Sequence, residues 1–88
     1  MKIKSGFILR KIAGKYMAVP IGGRVSEMHG MAALNETAAF MWGILEHECT
    51  EQDIVTALLD EYDITEETAS EEVKAFIAKI SQENLLDD

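Results

Sequence analysis

Cysteine is almost absent from this chain: Cys49 is the only one in 88 residues. No disulfide can form within the chain, so packing alone must hold it, and a lone thiol suits a reducing compartment better than an oxidising one. A single core of this size supplies roughly 3–5 kcal/mol of net stability. Proline is as scarce, with Pro20 alone, and the last glycine is Gly43. From residue 44 onward neither glycine nor proline interrupts the sequence, which reads as helical. Long apolar runs are missing too. The longest, Ala38 to Leu45, includes Gly43 and falls well short of the ~18 residues of a membrane span. The opening Met1-Lys2-Ile3-Lys4-Ser5-Gly6 is basic, but Arg10 and Lys11 interrupt the apolar stretch behind it, which argues against a signal peptide. A soluble cytoplasmic protein is expected, with no membrane partner.

Charge is missing by region. Residues 1 to 26 contain no acidic side chain, and residues 27 to 88 contain only two basic ones, Lys74 and Lys79. The first stretch holds Lys2, Lys4, Arg10, Lys11, Lys15 and Arg24; the second holds all sixteen carboxylates, giving +6 against −14 and a net charge of −8. Two surfaces of opposite sign follow. Hydrophobic residues make up 48% and charged residues 27%, the balance of a folded chain and not of a disordered one. The length allows a single domain, 1–88, with one core. No internal repeat, low-complexity tract or linker divides it.

The first third reads as strands. Phe7 to Ile12 and Tyr16 to Ile21 are rich in β-branched and aromatic residues, and Ala13-Gly14-Lys15 between them suits a hairpin. Gly22-Gly23 is a second turn signal. Met28 to Leu34 is a weaker third strand, diluted by Gly30, Ala32 and Ala33. Three helices follow. Asn35, Thr50 and Thr65 are N-cap residues with acidic residues behind them, where negative charge suits the helix dipole. Ala38, Met41, Trp42 and Leu45 mark the apolar face of the first helix. Ile54, Val55, Leu58, Leu59 and Tyr62 mark the second, and Ala69, Val73, Phe76, Ile77 and Ile80 the third. Leu85 and Leu86 are expected to fold back on the core. The fold class is α+β: a winged-helix-like, three-stranded antiparallel sheet followed by a three-helix bundle.

The side chains of chemistry are scattered. His47 and Cys49 are close in sequence, but no further ligands stand at zinc spacing, and both read as loop residues between two helices. Neither a metal nor a cofactor is expected. A Cys–His nucleophile pair would lack an orienting group. Glu66, Glu67, Glu71 and Glu72 read as a solvated helix face. A winged helix can bind DNA, but a recognition helix should be basic, and these helices are acidic; only a strand-borne basic patch leaves that route open. Met17 and Met41 read as core filler. Met28 and Met31 flank Gly30 at a possible sheet edge, where methionine suits varied apolar partners.

The segment Leu34-Asn35-Glu36-Thr37-Ala38-Ala39-Phe40-Met41-Trp42 resembles the motif of the PqqD family, peptide chaperones of pyrroloquinoline quinone synthesis. The likeness runs on through Thr50-Glu51-Gln52-Asp53-Ile54-Val55, Leu59 to Tyr62, the Val73 to Ile80 stripe and Leu85-Leu86, with Phe7-Ile8-Leu9-Arg10 and Val19-Pro20 at the opening strands. The resemblance implies a precursor-peptide recognition element: a non-catalytic adaptor that binds a leader peptide antiparallel along the third strand, against the third helix. It hands the peptide to a maturation enzyme, a radical S-adenosylmethionine enzyme being one such partner. The third strand here is smaller and richer in glycine than the common pattern. The peptide-binding residues expected on this basis are Met28, His29, Gly30, Met31, Ala32 and Ala33, with Lys74 and Ile77 from the third helix. An open strand edge also permits self-association.

Overall fold

The hairpin forms where turn chemistry allows it. In the computed structural model, which describes residues 1–22 and 32–87, β1 spans Phe7–Ile12 and β2 spans Lys15–Pro20. They pair antiparallel with Ile12 opposite Lys15, so Ala13-Gly14 is a two-residue loop. Both loop residues have positive φ, 52° and 81°, the requirement of a type I′ turn that matches strand twist. Glycine adopts this without cost; Ala13 does so under strain.

β3, Ala32–Leu34, pairs antiparallel with the far side of β2, giving the order β1-β2-β3. The expected third strand began at Met28; residues 28–31 of it lie outside the described residues. Alternation sets the faces. Ala18 and Leu34 are buried, and Phe7, Leu9 and Tyr16 pack on the core. Met17, neighbour to Ala18, therefore falls on the outer face with Ile8, Arg10 and Val19. The expectation that Met17 fills the core is corrected by this period of two.

Each helix begins where a side chain can accept from its orphan amides. Asn35 accepts from the Ala38 N–H and starts α1, Glu36–Leu45. Thr50 and Asp53 form a reciprocal capping box at α2, Glu51–Glu61. Thr65 accepts from Thr68 at α3, Glu66–Gln82. Their apolar faces meet in one core: Met41, Trp42 and Leu45 from α1, Ile54, Val55 and Leu58 from α2, and Ala69, Val73, Phe76 and Ile80 from α3. Trp42 is completely buried, and its indole Nε1 finds no partner among the described residues.

The chain ends are tied together. α3 stops in a Schellman-type turn, with Asn84 left-handed at φ 61°, the Leu85 N–H on the Ile80 carbonyl and the Asn84 N–H on that of Ser81. The turn drives Leu85 into the core, as expected, and leaves Leu86 partly covered. Ile3 bridges antiparallel to Leu86 and is itself buried, with its N–H on the Leu45 carbonyl. This closure between residues at opposite ends of the chain has no local pattern in the sequence.

Candidate functional site

The hydrogen-bonding parity of the sheet decides what its edge offers. The Ile21 N–H donates to the Gly6 carbonyl at 2.8 Å, continuing the β1–β2 register outward. Bonded and non-bonded pairs alternate in an antiparallel ladder. Ile8 with Val19 and Arg10 with Met17 are then bonded pairs. Pro20, which has no N–H to give, sits at a non-bonded pair with Phe7. Tyr16 and Ala18 consequently turn their main-chain groups toward β3, where they meet Leu34 and Ala32. Ala33, opposite Met17, is left with its N–H and C=O facing away from β2. Among the described residues β3 borders no second strand, so this edge is open to another chain.

α3 overlooks the edge. The Lys79 ammonium crosses from the last turn of α3 and donates to the Ala33 carbonyl at 3.0 Å. At the far end of β3 the surface opens into a cleft of about 520 Å³ between the hairpin turn and the start of α1, with Lys11, Lys15, Tyr16 and Glu36 in its walls. There the Lys11 ammonium sits 5.4 Å from the centre of the Tyr16 ring, within range of a cation–π contact. A separate pocket shares Tyr16 and Glu36 with this cleft and is lined by Leu9, Phe40 and Tyr62, the last two stacked edge to face at 5.6 Å.

The expected site residues divide on this geometry. Met28, His29, Gly30 and Met31 lie outside the described residues. Ala32 and Ala33 are on the open strand. Lys74 and Ile77 do not share the flank of α3 from which Lys79 reaches Ala33. On a helix of 3.6 residues per turn they stand about 140° and 160° round α3 from Lys79. Ile77 is partly buried against the core on the opposite flank of the stripe, and Lys74 lies among Glu66, Glu67, Ser70 and Glu71. The flank that shares Lys79's side carries Glu72 and Ala75, both exposed. Sequence reasoning missed Lys79, because an apolar stripe has two flanks and periodicity alone does not say which one meets the sheet.

The other chemical candidates stay apart. His47 and Cys49 fall in the loop between α1 and α2, as expected. Burial pushes the Cys49 thiol above its ordinary pKa, against the pull of the N-terminal ammonium nearby, so the reactive thiolate is disfavoured at neutral pH. Among the described residues no three His, Cys, Asp or Glu side chains come together as a metal site. Nor, among them, is any helix long and apolar enough to cross a membrane. The exposed faces of α2 and α3 carry Glu51, Asp60, Glu61, Glu66, Glu67, Glu71 and Glu72, a surface that repels a phosphate backbone.

The family model of PqqD, coenzyme PQQ synthesis protein D, matches residues 20–86. The chain belongs to the PqqD family. No curated protein matches it. A solved structure of similar fold, TbiB1 in complex with the TbiA(beta) leader peptide, aligns with a TM-score of 0.78 at 20% identity, over 99% of this chain and 95% of that one. The PqqD match takes in β3, all three helices and the closing Leu85-Leu86, and leaves out β1 and most of β2. The structural likeness takes in those strands as well, so the whole α+β fold is that of TbiB1.

Proposed function

We propose that this chain is a non-catalytic adaptor that binds the leader of a ribosomally made precursor peptide and presents it to a maturation enzyme. The carrying observation is the open edge of β3, with the main-chain groups of Ala33 turned outward beneath α3. A peptide laid antiparallel there becomes a fourth strand. The main chain supplies affinity, and side-chain contacts to α3 and to the cleft at the end of β3 supply selection. Membership of the PqqD family supports the reading, as does the fold shared with TbiB1, a protein bound to a leader peptide.

The α3 wall of this groove is the Glu72, Ala75 and Lys79 flank, with Ala32 and Ala33 along the strand; Met28, His29, Gly30 and Met31, outside the described residues, are the further contacts expected from the sequence. The maturation enzyme belongs to a peptide-modifying class, of which the radical S-adenosylmethionine type is one, and the setting is the cytoplasm, where Cys49 stays reduced. The adaptor carries out no bond-making step of its own. Burial disfavours the Cys49 thiolate, and His47 in the same loop is exposed, which argues against an activated nucleophile there.

The test is titration of isotope-labelled protein with the short peptide encoded beside its gene. Saturable binding is expected, with amide shifts on β3 and on the Glu72 to Lys79 stretch of α3. Absence of saturable binding to that peptide, with or without the neighbouring maturation enzyme, would sink the reading. Turnover of the peptide by this chain alone would sink its non-catalytic half.

A further inference from the structure

The open edge is not left bare. Ala33's carbonyl, turned away from β2, already has a donor in the Lys79 ammonium at 3.0 Å. Lys79 reaches across to this strand although the carboxylate of Glu83 stands four residues on, at the C-cap of its own helix. Both partners are exposed, so the bond is worth little while water can replace it. Its worth changes when the edge is covered. A strand laid over β3 expels that water, and a covered carbonyl without a donor loses roughly ten- to a hundredfold in affinity.

In an antiparallel pair at this position one peptide residue exchanges both main-chain bonds with Ala33. If that residue brings an N–H, it satisfies the carbonyl. If it does not, Lys79 is in place and the carbonyl keeps a donor. A carbonyl oxygen has two lone pairs, so the ammonium need not leave before the peptide arrives. The long flexible stem of lysine lets it yield or stay at small cost.

Building on the strand-addition reading above, we propose that Lys79 is a specificity-determining residue of the groove. It is a standby donor that makes the leader position opposite Ala33 tolerant of a residue with no backbone N–H, while other paired positions remain intolerant. The ligand class is a leader strand whose hydrogen-bonding requirement is relaxed at one register position. Lys79 touches the strand and not a reacting atom, so it is a positioning residue.

An amide-to-ester scan of the leader encoded beside the gene tests this, because an ester removes one N–H at a time with little change of shape. Binding is measured to the wild-type protein, to Lys79→Met, which keeps most of the stem and loses the donor, and to Lys79→Arg, which restores a donor. One ester position should cost the wild type about threefold or less and Lys79→Met about tenfold or more. Each penalty is taken relative to that protein's own affinity for the unmodified leader, and Lys79→Arg should show the wild-type pattern of penalties. A general weakening of every peptide by Lys79→Met, with no position singled out, would mark Lys79 as merely structural and overturn the proposal. Equal ester penalties in all three proteins would overturn it while leaving strand addition standing. No binding of the unmodified leader to wild type would remove both.

Discussion

Along β2 only Ala18 is buried, and the residues on either side of it look outward; along α3 a whole stripe, Ala69, Val73, Phe76 and Ile80, is removed from water. The sheet is basic, thin and half-open, leaving Ile12, and Ile21 just beyond β2, more than two-fifths exposed. The helices are acidic outside and closed within, around Trp42. On the proposed function the two regions divide stability from recognition. Helices satisfy their own main chains and so can be packed to completion. A three-stranded sheet always has edges, and one of them, β3, is placed beneath a helix.

If this division is right, substitutions should separate by region. Trp42→Ala is the severest expected, costing about 3–5 kcal/mol in urea unfolding, while Ile12→Thr on the open sheet should stay within about 0.5 kcal/mol. Trp42→Phe should be far milder than Trp42→Ala, since the buried indole N–H has no described partner to lose. Comparable losses for Trp42→Ala and Ile12→Thr would contradict this division. Ile3→Ala sharpens it from the other side. Ile3 belongs to the strand-bearing half but is buried beside Leu86, so a loss of about 2–4 kcal/mol is expected, and a neutral result would detach the first residues from the core.

Smaller effects test the local devices. Thr50→Ala breaks the capping box of α2 and should cost about 1 kcal/mol, with Asp53→Ala not adding fully to it, because the two side chains act as one cap. Ala13→Asn should go the opposite way. Asparagine accepts the left-handed conformation that Ala13 holds at φ 52°, so a gain of about 0.5 kcal/mol is expected, read as a shift of the unfolding midpoint. A loss there would mean that the hairpin turn is not type I′.

What the sequence disclosed follows the range of the interactions. Asn35, Thr50 and Thr65 announce their helices because a cap acts within three residues. The hairpin is legible in Ala13-Gly14 for the same reason, and the α+β order and the family likeness follow from such local signals. Ile3 was silent, as a single apolar residue between two lysines whose partner lies at the other end of the chain. Met17 was misplaced because a run such as Tyr16-Met17-Ala18-Val19 is apolar on both faces, so alternation does not say which face is inside. Lys79 was unreadable because an exposed helical lysine ordinarily means solvent, and only the placement of β3 gives it a partner. Lys74 and Ile77, the α3 residues expected at the site, stand on the other flank of the stripe from Lys79.

On the proposed function a leader adds to the β3 edge and not to the β1 edge. Parity leaves the amides of Leu9 and Lys11 turned outward on β1 just as it leaves Ala33 on β3, so the two edges can be compared within one protein. Amide hydrogen exchange, measured with and without saturating leader peptide, distinguishes them. Slowed exchange at Ala33 with Leu9 and Lys11 unchanged is the expected result. Fast exchange at Ala33 under saturation, or protection appearing at Leu9 and Lys11 instead, would contradict it.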